Sequence, residues 1–364
     1  MTVLIFLLVI IFLVVAHELG HFLVAKWCKV RVDEFGVGYP PRAKKLFTWK
    51  GTLFTLNWLP FGGFVKIYGE DGSDEKSPDL FTMQPLYKRA AIIIAGIAAN
   101  MLVAMVLYAI SFSIGLLGAP EDFPGARIVS DERVYITNIL EDSPADSIGL
   151  RSGDAIVGLS SGVDIMSEAP KVVTDVTNFI KTHADDEIEI QILRGNETLT
   201  FSTAPEEGVA EGQPGLGVSI IQASHIRLPF FKALTTGVVY TFEQFGNIVR
   251  SLGMLIGSAF DGEKGSMVGQ VAGPVGIAQI AGSAFTLGLG SFLAFVALIS
   301  INLAVINLLP FPALDGGRFV IELFSKKGKS RIPMRVISTI NQVGFLLLIL
   351  LMLYVTYKDI LRII

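Results

Sequence analysis

His17-Glu18-Leu19-Gly20-His21 decides the reading of this chain, and it lies inside the first apolar run, residues 3–25, not after it. A helix turns about 100° per residue, so residues four apart share a face. His17 and His21 can therefore bind one ion together. Glu18 stands a quarter-turn away, where it can reach a water on that ion without being a ligand. A catalytic zinc takes three protein ligands and a water, and a carboxylate beside that water serves as general base. Two helical histidines that merely cap or pair with something would be the bland alternative. It loses weight because the group follows about fifteen apolar residues at membrane depth, where ionisable side chains are costly and mark function.

Composition sets the frame around this stretch. The 364 residues are 51% hydrophobic and only 17% charged, with a mean hydropathy of +0.59. Soluble domains carry about a quarter charged residues, so a polytopic membrane protein with room for one extramembrane domain is expected. The net charge of -4 decides little, because the charges are segregated along the chain. A single cysteine, Cys28, excludes an intrachain disulfide. The only histidines are His17, His21, His183 and His225, so a metal site has few rival ligands.

The first run is long enough to span the roughly 30 Å hydrocarbon core. It is not read as a signal peptide, because it lacks a basic leading region and a small-residue cleavage site. Residues 26–89 form a basic loop, with β-stretches expected at 35–41 and 53–66. Leu59-Pro60-Phe61-Gly62-Gly63-Phe64 is too apolar for a solvated loop and is read as a hairpin dipping toward the membrane. Residues 71–79 are acidic and expected to be mobile. A second span is expected over 90–117, with Gly96 and Asn100 one turn apart for close helix approach and an interhelical hydrogen bond.

Residues 119–222 change character: acidic residues outnumber basic ones, and Pro and Gly punctuate short β-runs. Strands are expected at 134–140, 187–193 and 197–202, with helices at Ser143-Pro144 and over 174–182. The order resembles a PDZ domain in permuted arrangement, most specifically through S-P-A-x-x-x-G-L-x-x-G-D at residues 143–154, with its peptide groove near Gly215-Leu216-Gly217. Residues 230–260 read as an amphipathic interfacial helix, with a fifth span as the lesser reading. Gly273-Pro274-Val275-Gly276-Ile277 reads as a turn before the next helix. A third span covers 287–309 and ends in Asn307-Leu308-Leu309-Pro310-Phe311-Pro312-Ala313-Leu314-Asp315-Gly316-Gly317; a fourth covers 336–357. The domains expected are thus 1–118, 119–222, 223–285 and 286–364. By the positive-inside rule the basic loops 26–89 and 318–335 face the cytoplasm and the acidic 119–285 region lies outside.

Taken together, H-E-x-x-H in the first span, Gly96-x-x-x-Asn100, one PDZ-like region and Asn307-x-x-Pro310-x-x-x-Leu314-Asp315-Gly316 resemble the site-2 protease family of intramembrane zinc metalloproteases, closest to its bacterial regulator-of-sigma-E branch. The resemblance implies a zinc site of His17, His21 and Asp315, with Glu18 as base and Asn307 on substrate backbone. Elimination also favours Asp315: Cys28 lies seven residues past His21, about 10.5 Å along a regular helix, and His183 and His225 fall in or near the outer domain. Asn100 or Asn307 could stabilise an oxyanion. Only one PDZ-like domain is present, so gating by a PDZ pair does not carry over. The implied partners are single-span membrane protein substrates, the lipid bilayer and a peptide C-terminus at the PDZ-like domain; the implied location is the bacterial plasma membrane, with the active site toward the cytoplasm. Two other classes remain open: a membrane metal transporter, which would need neither Glu18 nor a PDZ-like domain, and a silent PDZ adaptor, against which an intact Glu18 argues.

Overall fold

The computed structural model describes residues 2–70, 77–123, 125–140, 142–166, 169–195, 197–210, 213–261, 273–324 and 334–363. Most of the acidic 71–79 stretch and the basic cluster Lys326, Lys327, Lys329 and Arg331 therefore lie outside the described residues.

Helix α1 (Thr2–Trp27) carries the histidines. Strands β1 (Val32–Trp49) and β2 (Thr52–Ile67) follow, much longer than the two short stretches expected. The chain doubles back within them. Phe35 stands opposite both Val65 and Phe54, while Trp49 stands opposite Thr52. The result is a folded sheet in the order 63–67, 32–37, 53–57, 42–49. No other strand among the described residues pairs with the far edge of 63–67. An aromatic cluster seats the sheet on α1: the Phe22 ring lies 5.7 Å from Phe35 and 5.6 Å from Phe54, and Phe47 stacks on Phe54 at 4.5 Å.

Helix α2 (Leu86–Ile114) packs against α1 at contact distance. A Cβ at Gly20 would stand 2.3 Å from the Ala95 carbonyl oxygen, so only glycine permits this crossing. The helix ends at Gly115 (φ 106°), earlier than the 117 expected, because Leu116–Gly118 leaves as strand β3.

The β-rich region contains β4 (Arg127–Ile128), β5 (Arg133–Ile139), α3 (Pro144–Ser147), β6 (Ala155–Ser161), β7 (Asp164–Ile165), α4 (Val173–Thr182), β8 (Ile188–Arg194), β9 (Glu197–Thr203), β10 (Glu206–Ala210), β11 (Gln213–Gly215) and β12 (Val218–Arg227). The main sheet runs β3-β12-β5-β6-β8-β9. It thus reaches from Leu116 to Arg227, beyond 119–222 at both ends. Ile136, Ile188, Ile190 and Ile192 are fully buried in its core, each worth about 1.5–3 kcal/mol. Ser143 caps α3 by accepting a hydrogen bond from the Asp146 amide at 3.3 Å.

Five helices follow among the described residues: α5 (Phe230–Asp261), α6 (Pro274–Thr286), α7 (Leu289–Leu308), α8 (Asp315–Leu323) and α9 (Met334–Ile363). Pro274 opens α6 instead of lying in a turn before it, since a proline at the first helical position loses no hydrogen bond. Among the described residues, four helices are long and apolar enough to cross a membrane, within Leu4–Trp27, Leu86–Ile114, Leu289–Leu308 and Val336–Asp359. Helix α5 is not among them. It lies against the end of α2, where a Cβ at Gly237 would meet the Ala109 amide at 2.8 Å and Tyr240 meets Tyr108 edge-on at 4.9 Å.

Candidate metal centre

One face of α1 presents both histidines, with their Nε2 atoms 3.1 Å apart. Helix α2 orients the two rings. His21 Nδ1 donates to the Ile92 carbonyl at 2.8 Å, which leaves the lone pair on Nε2. His17 Nδ1 lies 3.3 Å from the Asn100 side-chain nitrogen, while the Asn100 Oδ1 is buried without a partner. Turning the amide over places Oδ1 where it accepts from a protonated Nδ1, which leaves the His17 lone pair on Nε2. Both imidazoles then aim a bare Nε2 at the same point. Asn100 is fully buried and directed at His17.

The third group arrives from a distant part of the chain. Prolines 310 and 312 stop α7 from continuing, Ala313 takes φ 72°, and Asp315 opens α8 at 8% exposure. The turn is tight enough to demand both glycines: a Cβ at Gly316 would stand 2.2 Å from the Leu308 carbonyl oxygen, and one at Gly317 2.2 Å from that of Phe311. Asp315 Oδ2 comes to rest 3.0 Å from His17 Nε2 and 3.2 Å from His21 Nε2. Neither contact has hydrogen-bond geometry, and Oδ2 has no donor.

Three lone-pair atoms packed this closely and shielded from water repel one another unless a cation lies between them. Their edges of 3.0–3.2 Å come within a few tenths of an ångström of the roughly 3.3 Å between ligand atoms of a tetrahedral zinc at about 2.0–2.1 Å. His17, His21 and Asp315 are the one such cluster among the described residues. The donor set, two imidazoles and a carboxylate, suits zinc.

A cavity of about 400 Å³ opens onto this cluster. Glu18, Asn307, Gly62, Gly63 and Arg318 share its wall. Gly63 lies closest to the glutamate; a Cβ there would stand 3.3 Å from Glu18 Cγ. Gly215, Leu216 and Gly217 are not brought to the cluster. They sit in the β-rich region, where the Leu216 carbonyl accepts from Ala145 N at 3.0 Å and that of Gly217 from Leu140 N at 2.8 Å. Sequence reasoning missed Arg318, which is visible in Asp315-Gly316-Gly317-Arg318 as a cation three residues past the carboxylate. It also missed the Ile92 carbonyl, for which no side-chain signal exists.

A buried pair of histidines joined by a carboxylate inside a bundle of apolar helices, with a further glutamate on the cavity wall, defines a metalloprotease that works within the membrane. The chain belongs to peptidase family M50, whose model matches residues 5–351. It is similar to a Clostridium perfringens protein provisionally named a zinc metalloprotease, 33% identical over 355 residues that cover 96% of this chain and 95% of that one. It is also similar to the chloroplastic membrane metalloprotease ARASP of Arabidopsis thaliana, 31% identical over 361 residues that cover 95% and 76% of the two chains. The protein is an intramembrane zinc metalloprotease.

Proposed function

We propose that His17, His21 and Asp315 hold the zinc, that Glu18 is the general base, and that the substrates are single-span membrane proteins cut within or next to their membrane segment. The observation that carries the ligand assignment is the convergence of His17 Nε2, His21 Nε2 and Asp315 Oδ2 within 3.2 Å of one another. When bound, zinc supplies Lewis acidity, which polarises a carbonyl and acidifies a water.

The chain's own residues do the rest. A membrane helix hides its carbonyls in internal hydrogen bonds, so a substrate must unwind before attack. The edge of segment 63–67 that no strand among the described residues pairs with runs along the cavity beside Glu18, where it can take an extended segment by strand addition. Glu18 takes the proton of the attacking water on its carboxylate and passes it to the leaving amine nitrogen. Asn307, on the cavity wall, faces the space the substrate backbone would fill and can donate to it. Asn100 supports the site differently from Asn307, by fixing the His17 ring.

The β-rich region acts as a PDZ-type module that docks peptide near Gly215, Leu216 and Gly217. Its strand order and the capped α3 at Ser143 support this reading. Charge supports an orientation in a bacterial plasma membrane with the 26–89 loop and the metal cluster toward the cytoplasm and the β-rich region outside. Cleavage of a single-span substrate by purified protein in detergent tests the proposal. Activity should be lost on chelation, return with zinc, and be absent in Glu18→Gln.

A further inference from the structure

Arg89 and Glu322 form an ion pair that the proposed chemistry does not use. Both charges sit at the wrong end of their helices. Arg89 lies in the first turn of α2, where the helix dipole disfavours a cation, and Glu322 in the last turn of α8, where it disfavours an anion. The arginine side chain is 2% exposed and the glutamate 18%. Burying such a pair costs desolvation that its mutual attraction barely offsets. The pair therefore does little for the stability of either helix, but it does fix where α8 lies on α2.

Its location gives that constraint a purpose. On α2, Arg89, Ile92, Gly96 and Asn100 follow one another at spacings of three and four, so they lie along a single face. Ile92 holds His21, Gly96 leaves room for both rings, and Asn100 meets His17. On α8, Glu322 lies seven residues after Asp315, about 20° short of two full turns, and so shares its face. One face of α2 thus fixes the two imidazoles, and its first turn grips the helix that bears the carboxylate. A slip of α8 by one residue would carry Asp315 about 1.5 Å along the axis and 100° round it, out of reach of both Nε2 atoms.

We propose that the Arg89–Glu322 pair is the positioning device that sets the register of α8 on α2 and so places Asp315 against His17 and His21. The inference rests on the ligand assignment above. Arg89 and Glu322 are positioning residues and touch neither the ligand atoms nor the substrate.

The test is zinc affinity by chelator competition, with the visible spectrum of the cobalt-substituted full-length protein as a second readout of ligand geometry. The variants are Arg89→Gln, Glu322→Gln and the double variant, each taken as the monodisperse fraction in detergent. Each single variant should bind zinc about 10- to 100-fold more weakly, as loss of a ligand-supporting contact does, and should alter the cobalt spectrum. The double variant should be no worse than the weaker single, because one shared contact is being removed. Wild-type affinity and an unchanged spectrum in both singles would overturn the proposal, as would losses that simply add. If Arg89→Gln yields no folded protein, Glu322→Gln decides alone, since it conserves size and leaves Arg89 in place. His17→Ala separates the two levels of inference. If it retains zinc, the ligand assignment fails; if it loses zinc while Glu322→Gln binds normally, only the positioning role fails.

Discussion

Gly96 faces the two imidazoles so closely that a Cβ on it would stand 2.3 Å from His21 Nε2 and 2.6 Å from His17 Cε1. The rings occupy the volume a side chain would need. Gly96→Ala should therefore push one or both rings out of line and lower zinc affinity by about 10-fold or more. Helix content should not fall, because alanine is the better helix former. Zinc content per chain beside far-UV circular dichroism checks both halves.

Glu18→Gln should abolish cleavage, by about 100-fold at least for a lost general base, while zinc stays bound. Glutamine keeps the size of the side chain but cannot accept the proton. Zinc loss from this variant would make Glu18 a ligand and not a base.

Asp315→Asn should keep the fold, weaken zinc binding and end proteolysis. The amide is nearly isosteric but neutral, so it no longer offsets the charge of the cation. Metal analysis after dialysis against a weak chelator reads the loss; undiminished zinc retention would exclude Asp315 from the ligand set.

The β-rich region builds its core from its own residues: Val134, Ile156, Ile188 and Leu216 all belong to one cluster. A fragment spanning residues 116–228 should fold as a soluble module with a cooperative melt. Removing it from the full chain should leave zinc bound, since it supplies none of the three converging atoms. A deletion variant without zinc would show that the module is needed to build the membrane site.

His225, on β12, is partly buried against Tyr135, and burial lowers its pKa below the usual histidine value. The unfolded chain then takes up a proton more readily than the native one. Stability of the β-rich module should fall as the pH drops below about 6.5. In His225→Asn that part of the pH dependence should flatten; an unchanged melting profile against pH would remove His225 as its cause.

The local chemistry was written in the sequence. Four apolar runs, the H-E-x-x-H spacing, the proline-broken end of the third span and the alternating strands of the β-rich region are all properties of neighbouring residues. Helix period, bilayer thickness and turn chemistry are enough to read them. The folded form of the 32–67 sheet was not legible, because residues 32–37 pair with two segments at once and sequence alternation does not say which partners a strand takes. The same limit hid the extension of the main sheet to Leu116 and Arg227, which needs β3 and β12 to meet across about a hundred residues.

Only tertiary structure decided how the pieces of the candidate site face one another. The sequence places His17 and His21 on one helix face. It cannot rotate that face toward Asp315, nearly three hundred residues later, and it cannot show that Asn100 meets His17, or that the His21 ring is held by a main-chain carbonyl of Ile92. Those relations are set by the glycine contacts of Gly20 and Gly96 between α1 and α2 and by the tight turn at Gly316 and Gly317. Close packing fixes helix rotation to within a side chain's width, and no pattern along a single segment carries that information.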